Sequence, residues 1–138
     1  MSLRPEAEKT LARWHRMVAA MDLSEVASLF TPDAVFRSPV ANTPYKGAPI
    51  VAAVLQQAMQ VFSDFAYHRT FLCDDHSVVL EFSARVGDKS LKGIDMIRFT
   101  ADGRMSEFEV MVRPATGLQA LGAEMGRRLT PILAAAKT

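Results

Sequence analysis

The chain is 138 residues long, with 49% hydrophobic and 22% charged residues and a formal net charge of +1. This length and composition are typical of one globular domain and exclude a disordered or a membrane protein. A charge this close to zero supplies no field that would concentrate nucleic acid or anionic lipid, so we expect neither as a partner.

The cysteine content and the N-terminus indicate a cytoplasmic protein. The single cysteine, Cys73, has no partner for an internal disulfide, and we expect it to be a buried small residue rather than a nucleophile. The N-terminal stretch MSLRPEAEK contains no apolar run typical of a signal peptide. No segment approaches the roughly 18 unbroken apolar residues that span a bilayer.

The first part of the chain is predicted to be helical. Apolar residues between Ala7 and Met21 recur at three- and four-residue steps, which predicts a first helix. A short second helix is expected over about 23–30, ended by Pro32, because proline disfavours helix in the residue before it. A short strand over 34–38 follows.

The next segment is predicted to be a loop that leads into a third helix. Residues 39–47 are rich in Pro, Asn, Thr and Gly, which favours an irregular loop placed to line a site. Pro49 suits the first turn of a helix, and helical spacing of apolar residues continues to about Ser63.

Beyond Asp64 the pattern changes from helical to β. Four segments rich in Val, Ile, Phe and Tyr are predicted strands: 65–73, 78–86, 91–100 and 104–113. Their links are short enough for hairpin turns, so a meander of antiparallel strands is the economical topology. After Pro114 the apolar spacing predicts a C-terminal helix, interrupted near Gly122, Gly126 or Pro131.

Alternation along these strands assigns one face to the interior and shows one exception on it. The inward sets are apolar and include Phe82 and Phe108, but Asp95 shares their face. Burial disfavours an ionised carboxylate and raises its pKa. Two interpretations stay open: Asp95 exchanges a proton with a ligand or hydrogen-bonds it, or it is a structural residue bonded to backbone, Ser38 or Trp14.

Two further residues have both a functional and a structural interpretation. Trp14 lies on the inward face of the first helix, where its indole N–H could serve a ligand or the ring could simply fill the core. Tyr45 in the loop could gate a pocket or pack on the surface.

No motif for a metal or a cofactor is evident. His15, His68 and His76 show no metal-ligand spacing, so we predict no metal site. The chain has no phosphate-binding glycine loop, nucleophile elbow or dinucleotide fingerprint, so we expect no cofactor.

Three motifs carry a family resemblance. They are PDAVFRSP at 32–39, YKG at 45–47 and IDMIRF at 94–99. In this order of elements they resemble the nuclear transport factor 2-like superfamily, and its SnoaL-like members in particular, over about residues 7–114. The resemblance implies a cone-shaped α+β fold, in which a curved antiparallel sheet packs on N-terminal helices around a pocket. It implies one domain over residues 1–138, with 115–138 as a C-terminal helical extension.

The ketosteroid isomerases of this superfamily make the comparison informative for chemistry. They need a basic aspartate, a tyrosine donor and a protonated acid. The resemblance implies that Asp95 stands at the protonated acid, Ser38 at the proton-abstracting aspartate and Trp14 at the tyrosine. Because serine cannot replace that base, we do not expect a standard ketosteroid isomerase.

The resemblance implies a pocket that binds a small apolar molecule. Asp95 would serve as the acid/base of a cofactor-free isomerase, cyclase or hydrolase. The residues expected to bind the ligand are Trp14, Ser38, Tyr45, Phe82 and Phe108.

The alternative is a non-enzymatic ligand-binding or dimerisation module. The outward sheet face carries Val79, Ile94, Met96 and Met111 among charged residues. Similar proteins commonly dimerise through that surface, so we expect a homodimer. Whether the protein is an enzyme stays open at this stage.

Overall fold

Three α-helices, one 3-10 turn and a six-stranded sheet make up residues 2–136, which are the residues described by this computed structural model. In chain order the elements are α1 (Pro5–Ala19), the 3-10 turn (Val26–Leu29), β1 (Phe30–Arg37), β2 (Tyr45–Lys46), α2 (Ala48–Val61), β3 (Ser63–Asp74), β4 (Ser77–Val86), β5 (Lys89–Phe99), β6 (Met105–Arg113) and α3 (Ala115–Ala136). The predicted α+β class is confirmed.

The strands form one curved, unclosed sheet in the order β2-β1-β6-β5-β4-β3. The predicted antiparallel meander is present from β3 to β6. One pair departs from the predicted antiparallel sheet, because β1 runs parallel to β6 and makes the sheet mixed. The chain leaves β1 through β2 and α2 and reaches β3 at the far edge of the sheet. The meander from β3 then runs back until its last strand, β6, pairs with β1.

The predicted short helix and first strand have different bounds in the structure. Only one 3-10 turn, Val26–Leu29, forms in the region predicted as helix 23–30, and β1 already begins at Phe30. Pro32 therefore lies inside β1 instead of ending a helix. The pairing of β1 with β6 is irregular between Phe30 and Val35, and a strand tolerates proline where no ladder hydrogen bond needs its N–H.

The strand β3 is an edge strand that is largely exposed. Cys73 lies on it and is exposed, so the expectation of a buried cysteine was wrong. The register of β3 against β4 shifts at three places, one of them between Leu72 and Asp74, which disturbs the alternation that a sequence pattern relies on. Most residues in the second half of β3 face solvent.

The C-terminal helix α3 is continuous over Ala115–Ala136, and the predicted interruption was wrong. Pro131 lies inside the helix. The Thr130 hydroxyl donates a hydrogen bond of 2.7 Å to the Gly126 carbonyl one turn earlier. Within residues 2–136 no helix combines the length and the apolarity that a membrane crossing would need.

Aromatic rings from five elements pack in the core on the inner face of the sheet. Phe108 of β6 contacts Trp14 of α1 edge-on, with ring centroids 5.3 Å apart. Phe30 and Phe36 of β1 approach the same ring at 6.3 and 5.7 Å. Phe82 on β4 stacks on Phe65 of β3 at 5.0 Å. All of these rings except that of Phe30 line a cavity.

Candidate functional site

A cavity of about 310 Å³ lies between the inner face of the sheet and the three helices. Its lining is mainly aliphatic and aromatic. The lining residues with a polar side-chain atom are Trp14, Ser38, Tyr45, Tyr67, Asp95 and Thr130. Among the described residues that line the cavity, Asp95 is the one carboxylate. A concave apolar site with a few convergent polar groups is the usual form of a small-molecule site.

Three side chains from three elements form a directed chain of hydrogen bonds at the polar end of the cavity. The Trp14 indole N–H on α1 donates to the Tyr67 hydroxyl on β3 over 3.0 Å. The Tyr67 O–H donates in turn to Asp95 Oδ2 on β5 over 2.5 Å. Hydrogen bonds arranged head to tail polarise one another, so the chain holds the carboxyl group in one orientation.

The sheet register explains how Tyr67 reaches Asp95. On β4, Phe82 pairs with both Tyr67 and Gly93, and Leu80 pairs with Asp95. Tyr67 and Asp95 therefore lie on the same inner face of the sheet with one strand, β4, between them. A tyrosine side chain is long enough to reach across that strand. At Gly93 a Cβ atom would come within 2.6 Å of Phe82 Cζ, so only glycine there lets the Phe82 ring pack against β5.

Burial dominates the electrostatics of Asp95. The side chain is 5% exposed, and desolvation raises its pKa to about 7, although the hydrogen bond from Tyr67 acts in the opposite direction. Desolvation, together with the nearby charge of Asp95, also raises the pKa of Tyr67 well above its ordinary value. Near neutral pH the neutral and ionised forms of Asp95 are therefore both populated, while Tyr67 stays protonated.

All six residues predicted to form the site line this one cavity. Phe82 and Phe108 are each 1% exposed and form its walls. Tyr45 lies on β2, half-buried, with its ring 6.3 Å from the ring of Phe36. Two of the six engage partners that the sequence did not suggest: Trp14 donates its N–H to Tyr67, and Asp95 bonds Tyr67 rather than backbone, Ser38 or Trp14.

Ser38 lies at the point where β1 leaves the sheet. Its hydroxyl oxygen accepts the amide N–H groups of Val40 at 3.2 Å and Ala41 at 2.9 Å. This local turn fixes the start of the loop that borders the cavity.

Tyr67 is the residue that sequence reasoning missed. The signal was present, because extending the inner-face alternation to β3 places Phe65 and Tyr67 on the side that faces the helices. It was weak because β3 is an irregular edge strand whose register against β4 shifts at three places and whose residues are mostly exposed. The contribution of α3 to the lining of the cavity was also missed, because the apolar spacing of a helix does not indicate which part of the fold it packs on.

Outside the cavity, the turn after β3 brings three potential metal ligands together. Ligand atoms of Asp74, Asp75 and His76 lie within 4.8 Å of one another. The His76 ring interacts with both carboxylates, and Arg4 also pairs with Asp75 at 3.1 Å. The group is thus held together by its own hydrogen bonds and by the ion pair of Asp75 with Arg4.

Comparison with known proteins identifies the family of the chain. A sequence profile of the SnoaL-like domain matches residues 11–108. The chain belongs to the SnoaL-like domain family. The resemblance drawn from the three sequence motifs is thereby confirmed. None of the curated protein sequences compared with the chain matches it significantly.

Solved structures agree with this assignment. A steroid delta-isomerase from Pseudomonas aeruginosa is 61% identical, with a TM-score of 0.91 over 96% of this chain and 97% of that chain. A bacterial protein with a cystatin-like fold from Silicibacter pomeroyi is 35% identical, with a TM-score of 0.82 over 87% and 84%. An NTF2-like protein of unknown function from Mesorhizobium loti shares 17% identity and a TM-score of 0.69 over 83% and 100%. The cone-shaped nuclear transport factor 2-like fold is therefore confirmed.

The raised pKa of Asp95 makes a prediction for the pH dependence of stability in this SnoaL-like domain. The folded state holds the Asp95 proton up to about pH 7, whereas the unfolded chain releases it near its ordinary value of 3.8, so stability is lost as the pH rises between these values. Relative to Asp95→Asn, the wild type should lose about 4 kcal/mol of unfolding free energy from pH 4 to pH 7.5. Urea unfolding of both proteins across this range measures the difference, and parallel pH profiles would contradict it.

Proposed function

We propose that this SnoaL-like domain binds a small apolar molecule with one oxygen function, and that Asp95 transfers a proton to or from that molecule without a cofactor. The observation that carries the proposal is the position of Asp95, a buried carboxyl group at the polar end of an otherwise apolar cavity. A perturbed carboxyl group in a cavity is the usual signature of an acid/base residue.

The hydrogen bonds at Asp95 leave one of its oxygens available for a ligand. Tyr67 occupies Oδ2, and among the described residues no hydrogen bond reaches Oδ1. When neutral, Asp95 can donate its proton to a carbonyl or hydroxyl oxygen. When ionised, it can accept a proton from the bound molecule. With a pKa near 7, the group serves either role at neutral pH.

The lining sets the character of the ligand. No Lys, Arg or His side chain lines the cavity within residues 2–136, so a charged ligand would lose its hydration without gaining a counter-ion. Aliphatic and aromatic side chains cover the remaining wall and suit a ring system or a branched chain. We therefore propose a neutral ligand such as a ketone, an enol or a phenol.

The name of the Pseudomonas aeruginosa relative suggests a steroid ketone as one such molecule. Binding a steroid ketone and isomerising it make different demands, because moving the double bond requires a base that carries a proton between two carbons. Ser38 stands where the resemblance places that base, and its hydroxyl oxygen already accepts two amide hydrogen bonds. We therefore propose that this chain is not a standard ketosteroid isomerase.

The outer face of the sheet favours a second candidate, an interaction module that forms a homodimer. Met96 and Met111 are 38% and 47% exposed there, and Phe71 on β3 is 43% exposed. Val79 joins Phe71 and Met96 in one row across three strands, because it pairs with both of them. A contiguous apolar patch of this kind is typical of a protein interface.

One experiment tests both candidates. Native mass spectrometry of the purified protein reports a co-purified molecule and the oligomeric state in the same spectrum. A thermal-shift series with 2-tetralone, 2-naphthol and 1-hydroxypyrene then probes the cavity. We expect at least one of these compounds to raise the melting temperature of the wild type. A dimer that carries no ligand and responds to none of them would contradict the ligand-binding proposal and favour the interaction module.

A further inference from the structure

The glycines of α3 are present for different reasons. A Cβ atom at position 117 would come within 2.8 Å of Leu91 Cβ, so close packing against β5 requires Gly117. A Cβ atom at position 122 would lie 3.1 Å from Val40 Cγ1, so Gly122 lets the loop after β1 approach the helix. At Gly126 a Cβ atom would meet no atom of the described residues within 4 Å apart from its chain neighbours and the nearby backbone of its own helix. Packing therefore explains the first two glycines and not the third.

The backbone conformation does not require a glycine at position 126 either. It lies inside a continuous helix, and it is not among the described glycines with a positive φ angle. Glycine in a helix interior is less stable than alanine because it loses more conformational freedom on folding. The helix thus forgoes stability at this position without any steric gain for its own packing.

Gly126 lies where the cavity opens to solvent. Within residues 2–136, four residues both line the cavity and are exposed. They are Val40 and Ala41 on the loop after β1, and Gly126 and Thr130 on α3. The entrance therefore lies between that loop and the second half of α3, beyond the point where Gly122 and Val40 bring the two elements together.

We propose that Gly126 sets the width of this entrance and thereby determines the size of the molecules that reach Asp95. The inference rests on the proposed ligand-binding function. Gly126 lines the cavity and is exposed, one helical turn after the contact of Gly122 with Val40, and the space around a Cβ atom at position 126 is open. A side chain there would therefore have room at the rim of the cavity and nothing to displace. It would narrow the passage without disturbing the core.

Rates of ligand entry test this role. The probes are two fluorescent phenols of different width, 2-naphthol with two fused rings and 1-hydroxypyrene with four. In stopped-flow experiments, Gly126→Leu should slow both association and dissociation of 1-hydroxypyrene by about tenfold or more, and change the rates for 2-naphthol by less than about threefold. Gly126→Ala should raise the melting temperature by about 2–4 °C, because it adds only helix propensity.

The matched control is Ala123→Leu. Ala123 is exposed on the same helix but does not line the cavity, so this substitution should leave all rates unchanged. If the wild type binds both phenols and Gly126→Leu leaves the rates for 1-hydroxypyrene unaltered, the entrance role is overturned. Faster dissociation alone would also overturn it, since that result places the obstruction inside the cavity. If the wild type binds neither phenol, the proposed function fails, and this inference with it.

Discussion

Asp95→Asn should abolish most of the proton-transfer activity of the protein while ligand binding is retained. The exchange of α-hydrogens of 2-tetralone in D₂O gives a readout that does not depend on knowing the natural substrate. In this reaction ionised Asp95 takes a proton from the α-carbon, the electron pair of the C–H bond forms a C=C bond, and the π pair of the carbonyl moves to its oxygen. Asp95 then exchanges its proton with solvent and returns a deuteron to the α-carbon as the carbonyl re-forms. Removing the general base should slow exchange by about 100-fold or more.

Asparagine is the informative replacement because it has the shape of aspartate and still accepts a hydrogen bond from Tyr67. Asp88→Asn, in the exposed turn between β4 and β5, is the matched control and should exchange at the wild-type rate. Equal exchange by wild type and Asp95→Asn would rule out acid/base catalysis by Asp95. A variant that has lost both its thermal transition and its binding of 2-tetralone would identify Asp95 as a structural residue.

Ser38→Asp should raise the steroid isomerase activity of the protein well above that of the wild type, because on our proposal the wild type has no base at position 38. The new carboxylate can accept the amide N–H groups of Val40 and Ala41 with one oxygen, as Ser38 does, and present the other to the cavity. It would take the α-proton of a β,γ-unsaturated steroid ketone and return it to the γ-carbon. Neutral Asp95 would meanwhile donate a hydrogen bond to the oxygen on which charge develops. We expect the isomerisation rate to rise by about 100-fold or more over that of the wild type. The absorbance of the conjugated ketone product measures this rate.

The control for this gain is Ser38→Asn, which has the same shape as aspartate and no basicity. No difference between Ser38→Asp and Ser38→Asn would show that position 38 does not present a base to the ligand. Adding Asp95→Asn to Ser38→Asp should remove most of the gained activity, since the oxygen of the ketone would lose its acidic donor. The double variant therefore tests whether the two positions act on one bound molecule.

Much of the fold could be predicted because it depends on the periodic spacing of apolar residues within each segment. The strands β4, β5 and β6 alternate apolar and polar residues over nearly their whole length, and the predicted bounds differ from the observed ones by at most two residues. The same alternation placed Asp95 on the inner face. The first and last parts of the chain were harder, because Pro32 and Pro131 are tolerated where local rules would end an element.

The sequence by itself determined the α+β class, the meander from β3 to β6, the family and the buried position of Asp95, because each depends on spacing within one segment or on contiguous motifs. Only the tertiary structure decided which partners those residues meet. The parallel pairing of β1 with β6, the reach of Tyr67 across β4 to Asp95, and the entrance formed by α3 and the loop after β1 all join segments far apart in the chain. Such contacts follow from how separate elements pack on one another, which the pattern within a single element does not encode.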